Sequence, residues 1–385
     1  IKLIDSFENN NEESNKSVLI IFVVNNIVDS NTSIIEENKK TLTFLSEYSN
    51  NTTKKLHIAY IDASTNGNAL PIKDGGVGLA RKIGMDAALQ WFNYNQKNLL
   101  VCLDADCVVE TNYFETIEKF RKNGLNAGYI PFRHNYSPTE EERLAIACYE
   151  IFLNYYVAAL KYSKSPFAFH SIGSTMVCSP EYYVKVQGMN KRKAAEDFYF
   201  MEKLAKITKI EVLKGTFVYP QGRTSWRVPF GTGQRVARYL THEMNEYILY
   251  DSKIFDILKL WNELFFNEDE YNSNFYLNKA NEIDVKLYEF LKISKFEDVW
   301  EKVIKNKNTP EQLFKQKKYF FDGFRTLKLV HFLRDNGYPN KDMYVVLEEF
   351  FAKININGHK FNSKAYDNLE FQTEILNSLN EYNEK

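Results

Sequence analysis

Two pairs of acidic residues carry the chemistry this chain could perform. Asp104 and Asp106 flank Ala105 at the end of the apolar run Leu99-Leu100-Val101-Cys102-Leu103. In extended chain that spacing puts both carboxylates on one side, close enough to share a divalent cation. The plainer reading is a polar exit from strand to loop, because Asp is common in turns. Glu196 and Asp197 are adjacent and precede Phe200, Leu204 and Ile207 at helical spacing. Carboxylates at that place can take a proton from a hydroxyl, or can complement the positive end of a helix.

Other reactive side chains are less suggestive. Cys102, Cys107, Cys148 and Cys178 form no Cys-x-x-Cys pair. They read as free thiols in a reducing cytosol rather than a zinc site or disulfide framework. His134 and His170 fall in loops and could complete a metal site, but no paired-ligand spacing supports them over ordinary loop histidines.

The acids need a frame. Val18 to Val24 is a continuous β-rich run, expected of a strand buried on both faces, and it ends at Asn25-Asn26. Ser33-x-x-Glu36 reads as a capping box opening a helix. Leu56 to Ile61 is a second strand, ending at Asp62-Ala63-Ser64. Gly75-Gly76-Val77-Gly78 leads into a helix with Leu79, Ala80, Ile83 and Ala87, and those glycines admit close backbone approach to a ligand or supply positive φ. The run before Asp104 is the third strand, and Ala127 to Ile130 a further one. Strands alternating with helices predict a three-layer α/β domain with a mostly parallel sheet, ligands binding at the edge where the strands end. Ser137-Pro138-Thr139-Glu140 predicts the start of a long helix, with Ser137 as its cap and Pro138 at its first position.

After about residue 236 the pattern turns helical. Ile254, Ile257, Leu258, Trp261, Leu264 and Phe265 form one apolar stripe, and Thr309-Pro310-Glu311-Gln312 opens another helix. A chain of 385 residues holds two or three domains at about 150 residues each. We divide it into a polar N-terminal segment (1–16), an α/β domain (17–235) and a helical C-terminal extension (236–385). Residues 1–16 show no signal-peptide pattern, and the start at Ile1 rather than Met reads as a processed or trimmed product. A net charge of -1 argues against nucleic-acid partners. The longest apolar run is too short to span a bilayer.

Taken in order, these pieces resemble a family-2 glycosyltransferase of the GT-A (Rossmann-like) fold over residues 17–230. Val24-Asn25-Asn26 stands where that family's first strand ends, without the proline usual within the strand. Asp62-Ala63-Ser64 is similar to its Asp-x-Ser. Gly78-Leu79-Ala80-Arg81-Lys82-Ile83-Gly84 resembles its Gly-x-x-x-Ala-Arg-Asn-x-Gly, with Lys82 in the Asn place. Asp104-Ala105-Asp106 matches its Asp-x-Asp, and Gln187-Gly188-Met189 followed by Glu196-Asp197 is similar to its Gly-Gly-Phe followed by Glu-Asp.

The resemblance implies an inverting hexosyl- or N-acetylhexosaminyltransferase of polysaccharide biosynthesis. A nucleotide sugar, by default a UDP-sugar, would donate to a hydroxyl of a glycan or lipid-linked acceptor. Mn²⁺ or Mg²⁺ would neutralise the leaving diphosphate, with Asp106 as direct ligand and Asp104 on the ribose or on the metal through water. Asp197 would be the base and Glu196 would orient it or hold the acceptor. At its reference pKa of about 3.9 such an Asp is ionised at neutral pH. Asn25, Asp62 and Arg81 would contact the nucleotide. The segment 222–233 lies where processive relatives carry Gln-x-x-Arg-Trp but departs from it. It reads as a mobile loop whose Arg223 or Arg227 meets the diphosphate and whose Trp226 stacks on a sugar, or as a plain domain junction. The expected place is the cytoplasm, at or near the inner membrane face. The extension leaves room for peripheral membrane contact or a homodimer. Two alternatives stand: a haloacid-dehalogenase-type phosphatase with Asp104 as nucleophile, and a non-catalytic carbohydrate-binding protein on the same fold.

Overall fold

A computed structural model describes residues 2–51, 55–135, 139–222, 231–267, 271–306, 309–359, 361, 366 and 368–385. The chain is mixed α/β and gathers into two units, residues 1–135 with 171–221, and residues 136–170 with 222–385.

The first unit opens with α1 (Lys2–Glu8) and α2 (Glu12–Asn15), followed by β1 (Leu19–Asn25), α3 (Thr32–Asn50), β2 (His57–Ala63) and α4 (Val77–Ala88). β1 and β2 pair in parallel, with Val24 opposite Asp62 and Asn25 opposite Ala63. Their β-branched and aromatic residues suit that extended pairing. β1 is half-buried along most of its length rather than buried on both faces, because its sheet holds one other strand. α4 packs so closely on β1 that a Cβ on Gly84 would lie 3.0 Å from Val23 Cγ2.

Next come β3 (Leu100–Val101), β4 (Val108–Val109), α5 (Tyr113–Asn123) and β5 (Ala127–Tyr129). The chain then enters the second unit through α6 (Glu140–Tyr162). It returns with β6 (Met176–Cys178), α7 (Pro180–Lys185), α8 (Glu196–Ile207), β7 (Glu211–Val212) and β8 (Val218–Tyr219). β6 sits between β3 and β5, antiparallel to both, while β7 runs parallel to β5 and β4 pairs antiparallel with β8. The expected mostly parallel sheet is therefore corrected to small mixed sheets. β6 follows an excursion into the other unit, not a helical crossover within its own, so nothing imposes parallel pairing on it.

Residues 1–16 are more than a polar segment. Leu3, Ile4 and Phe7 lie on one face of α1 and are buried, with the Phe7 ring stacked on Phe114 at 5.2 Å. Asn10 donates to the Glu110 carbonyl (3.1 Å) and accepts from Phe114 N (3.0 Å), satisfying a first-turn amide of α5. Helix starts shift slightly elsewhere. α3 begins at Thr32 with Asn31 at the cap, so Ser33 lies inside the first turn. α6 is capped by Thr139, which accepts from Glu142 N, and Ser137 and Pro138 lie outside the described residues.

The second unit holds α6 with α9 (Thr232–Leu240), β9 (Ile248–Leu249), α10 (Ser252–Phe265), α11 (Ser273–Ile283), α12 (Val285–Ile293) and α13 (Phe296–Asn306). α14 (Pro310–Phe320), α15 (Gly323–Asp335), β10 (Lys341–Asp342), α16 (Met343–Lys353) and α17 (Leu369–Glu384) complete it. Its core joins Ile151, Tyr155 and Ala158 of α6 to Trp261, Phe265, Trp300 and Phe350. The apolar stripe of α10 is internal packing: Ile254, Ile257, Leu258, Trp261 and Phe265 are all buried. Lys161 Nζ reaches the Tyr382 and Asn383 carbonyls (3.0 and 3.1 Å), fixing the end of α17 against α6. The division at residue 235 is thus drawn differently here, since α6 packs with the C-terminal helices. α6 is long and apolar enough to cross a membrane by length and composition, but it is mostly buried inside its unit.

Candidate active site

Arg81 stands at the centre of the site. It projects from α4, one turn past the Gly76-Val77-Gly78 start of that helix. Its Nη2 lies 2.5 Å from Asp104 Oδ1, and its Nη1 is bonded to Glu196 Oε1. One guanidinium therefore joins the end of β3 to the start of α8. Arg81 and Glu196 are buried, with side chains 11% and 5% exposed, whereas Asp104 is 42% exposed. Burial alone would disfavour an arginine charge, but the carboxylates of Asp104 and Glu196 outweigh it and hold the guanidinium protonated. Arg81 Nε is buried and makes no hydrogen bond among the described residues.

Asp104 and Asp106 sit on a turn rather than in extended chain. β3 ends at Val101, Cys102 N still donates to the Met176 carbonyl (2.9 Å), and Cys107 N donates to the Asp104 carbonyl (3.1 Å). The expected side-by-side carboxylates of a strand are corrected accordingly: Asp104 turns inward to Arg81, and Asp106 lies exposed at the third position of the turn. Asp104 Oδ2 has no hydrogen-bond partner among the described residues. Carboxylate oxygens are the ligands a hard divalent cation takes, and Asp104 and Asp106 are both at least partly open to solvent. Among the described residues no group of three or more His, Cys, Asp or Glu is arranged to hold a metal.

Glu196 and Asp197 open α8, as their position before an apolar helical spacing predicts. The preceding Ala195 is left-handed (φ 57), and the turn it makes brings Glu196 to Arg81 of α4. Asn190 Nδ2 donates to the Glu196 carbonyl (2.8 Å) and fixes that turn. Asp197 accepts from Phe198 N at Oδ1 (2.7 Å), and its other oxygen has no partner among the described residues. Burial beside the charges of Glu196 and Asp104 raises the Asp197 carboxyl from its ordinary 3.8 to about 6, with Arg81 pulling the other way. The expectation of an unperturbed Asp is corrected by its burial, with the neighbouring acids adding to the shift.

Other expected residues fall differently. Asp62 is consumed by its own turn: Oδ1 accepts from Ser64 N (2.9 Å), Ser64 Oγ (2.9 Å) and Thr65 N (3.0 Å), and Oδ2 accepts from Thr65 Oγ1 and Asn68 Nδ2. These donors hold its carboxyl far below the usual carboxylate range. Asn25 lies beside that turn, opposite Ala63, with its carbonyl accepting from Asn38 Nδ2 (3.2 Å). Arg223, Trp226 and Arg227 lie outside the described residues.

His134 is buried, edge-on to Phe132 at 5.6 Å. His170 belongs to the other unit, hydrogen-bonded to Asn154 Oδ1 (3.2 Å), where burial lowers its pKa to about 3. The four cysteines are free and buried, and burial pushes Cys102 and Cys107 up to about 12, which disfavours their thiolate forms at neutral pH.

Glycine does work here that sequence reasoning assigned elsewhere or missed. A Cβ on Gly173 would collide with the Arg81 guanidinium, and one on Gly78 with the Arg192 carbonyl. A Cβ on Gly75 would strike Ile27 and the Pro71 carbonyl. The glycines of 75–78 thus allow close packing within the protein, and none of them lies in the left-handed region. Gly173 carried no signal beyond being the one glycine in a loop feeding a strand. Comparison with known proteins finds no matching family profile, no matching curated protein and no matching solved structure.

Proposed function

We propose that the chain is an inverting glycosyltransferase of the GT-A type that uses a nucleotide-diphosphate sugar and a divalent metal. The observation that carries this reading is the single guanidinium of Arg81 joining Asp104 to Glu196. It links the acids expected at the donor end to those expected at the acceptor end, although they are 92 residues apart, from 104 to 196. Asp104 and Asp106 would hold Mn²⁺ or Mg²⁺, which supplies Lewis-acid neutralisation of the departing diphosphate.

Asp197 is the base. It sits next to the cluster with one oxygen uncommitted, and a pKa near 6 leaves it mostly ionised at pH 7 while making it a better acceptor than an ordinary Asp. Glu196, fixed by Arg81, positions Asp197 through the α8 start. Arg81 itself is a positioning residue, because both terminal nitrogens are engaged by carboxylates rather than offered to a nucleotide. The phosphatase alternative gains less from this geometry, since a nucleophilic Asp104 would have one oxygen held against a buried arginine. The test is a thermal shift. Uridine diphosphate with Mn²⁺ stabilises a transferase, and stabilisation only by Mg²⁺ with a phosphate mimic indicates the phosphatase.

A further inference from the structure

Immediately before the acid pair the chain carries Lys191, Arg192 and Lys193, all exposed. None pairs with a carboxylate among the described residues. Nearby lysines do pair: Lys185 with Glu181 at 2.6 Å and Lys206 with Glu202 at 3.4 Å. Three adjacent cations left unneutralised repel one another, and the arrangement persists only if the backbone holds it.

It is held firmly. Asn190 Oδ1 accepts from Arg192 N (3.1 Å), while Asn190 Nδ2 grips the Glu196 carbonyl. The Arg192 carbonyl and the Lys193 backbone press on the start of α4, where Gly78 and Gly76 leave room for them, a Cβ on Gly76 approaching Lys193 Cα to 3.2 Å. The Arg192 guanidinium lies over the Tyr199 ring of α8, 3.9 Å from its centroid, and the residue is exposed. Lys193 is four residues from Asp197, so their Cα atoms are at most about 14 Å apart. The basic ledge is therefore anchored to both helices that build the site.

We propose that this ledge binds an anionic group, phosphate or carboxylate, on the acceptor whose hydroxyl meets Asp197. The proposal rests on the transferase reading. The Arg81 guanidinium separates two ends: Asp104 on Nη2 belongs to the donor, and Glu196 on Nη1 begins the helix that carries the base. The ledge continues from the second end. An anion there neutralises cations that no carboxylate among the described residues pairs with, and it orients the acceptor without touching the reacting atoms. A phosphate on a lipid-linked sugar and a uronic-acid carboxylate on a glycan share this chemistry.

Calorimetric titration of the full chain with inorganic phosphate and, separately, with glucuronate tests it, in chelator and at two ionic strengths. The expected result is salt-sensitive binding that falls about tenfold or more in Lys191→Ala/Arg192→Ala/Lys193→Ala, the loss expected from three near-surface charges. Binding is expected to persist with uridine diphosphate and Mn²⁺ present, and the tighter of the two anions names the source. The triple variant is expected to keep wild-type nucleotide affinity, and Lys191→Arg/Lys193→Arg to keep anion binding. No binding of either anion, binding indifferent to the triple substitution, or displacement by uridine diphosphate overturns the proposal. Failure of uridine diphosphate to bind sinks the transferase reading instead, and leaves the anion titration to judge the ledge alone.

Discussion

Arg81 Nη2 lies 2.5 Å from Asp104 Oδ1, joining α4 to the turn after β3. The same guanidinium holds Glu196 deep in the unit, so its removal leaves a buried carboxylate uncompensated. Breaking such a pair costs about 3–5 kcal/mol. Arg81→Ala is expected to lower the free energy of unfolding by that order in urea denaturation. Glu196→Gln, which keeps the shape and removes the charge, is expected to cost clearly less. Equal losses in the two variants would show that volume, and not charge, is at stake.

Asp197 couples stability to pH in an unusual direction for an acid. Its carboxyl titrates near 6 folded against an ordinary 3.8, so between those values the native state holds more proton than the unfolded state. Its contribution is fully present below about pH 4 and is lost as pH rises through about 6, up to about 3 kcal/mol in all. Asp197→Asn removes this slope. Denaturation curves of both proteins across pH 4 to 7 read the difference, and parallel curves would refute the raised pKa.

Gly173→Ala places a methyl group where the Arg81 guanidinium lies. Overpacking of this kind costs about 1–3 kcal/mol. The expected signature is a lowered melting temperature together with reduced turnover, while Gly215→Ala, which strains a left-handed φ of 98 but meets open space, lowers the melting temperature and leaves turnover unchanged.

Asp62→Ala separates a structural from a ligand role. Its oxygens are engaged by Ser64, Thr65 and Asn68, and loss of these bonds is expected to destabilise by about 1–3 kcal/mol. Nucleotide affinity measured well below the melting temperature is expected to change little. A large affinity loss at unchanged stability would return Asp62 to the nucleotide.

Much of the frame was legible because it is local. β1, β2 and α8 follow from apolar runs and helical spacing, and Glu196-Asp197 falls where first-turn acids belong. What was not legible depends on distant partners. The strand before Asp104 shortens because only Leu100 and Val101 pair with β6, and β6 returns from another unit. α6 belongs with helices that follow it by more than 200 residues, as Lys161 shows by binding the Tyr382 carbonyl at 3.0 Å with a separation of 221. The raised pKa of Asp197 arises mainly from its burial in the folded unit, with the charge of Glu196 adding to it, and that burial is set by packing that no local pattern encodes.

The proposed sugar-transferring role of the Arg81-centred acids is open to a direct test. Purified chain is incubated with a panel of nucleotide sugars, with Mn²⁺ and with chelator, and release of nucleoside diphosphate is measured for wild type and Asp197→Asn. Metal-dependent release from at least one donor is expected, with a fall of about 10²–10⁴-fold in the variant and donor affinity unchanged. Release that ignores the metal, or a variant as fast as wild type, contradicts that role.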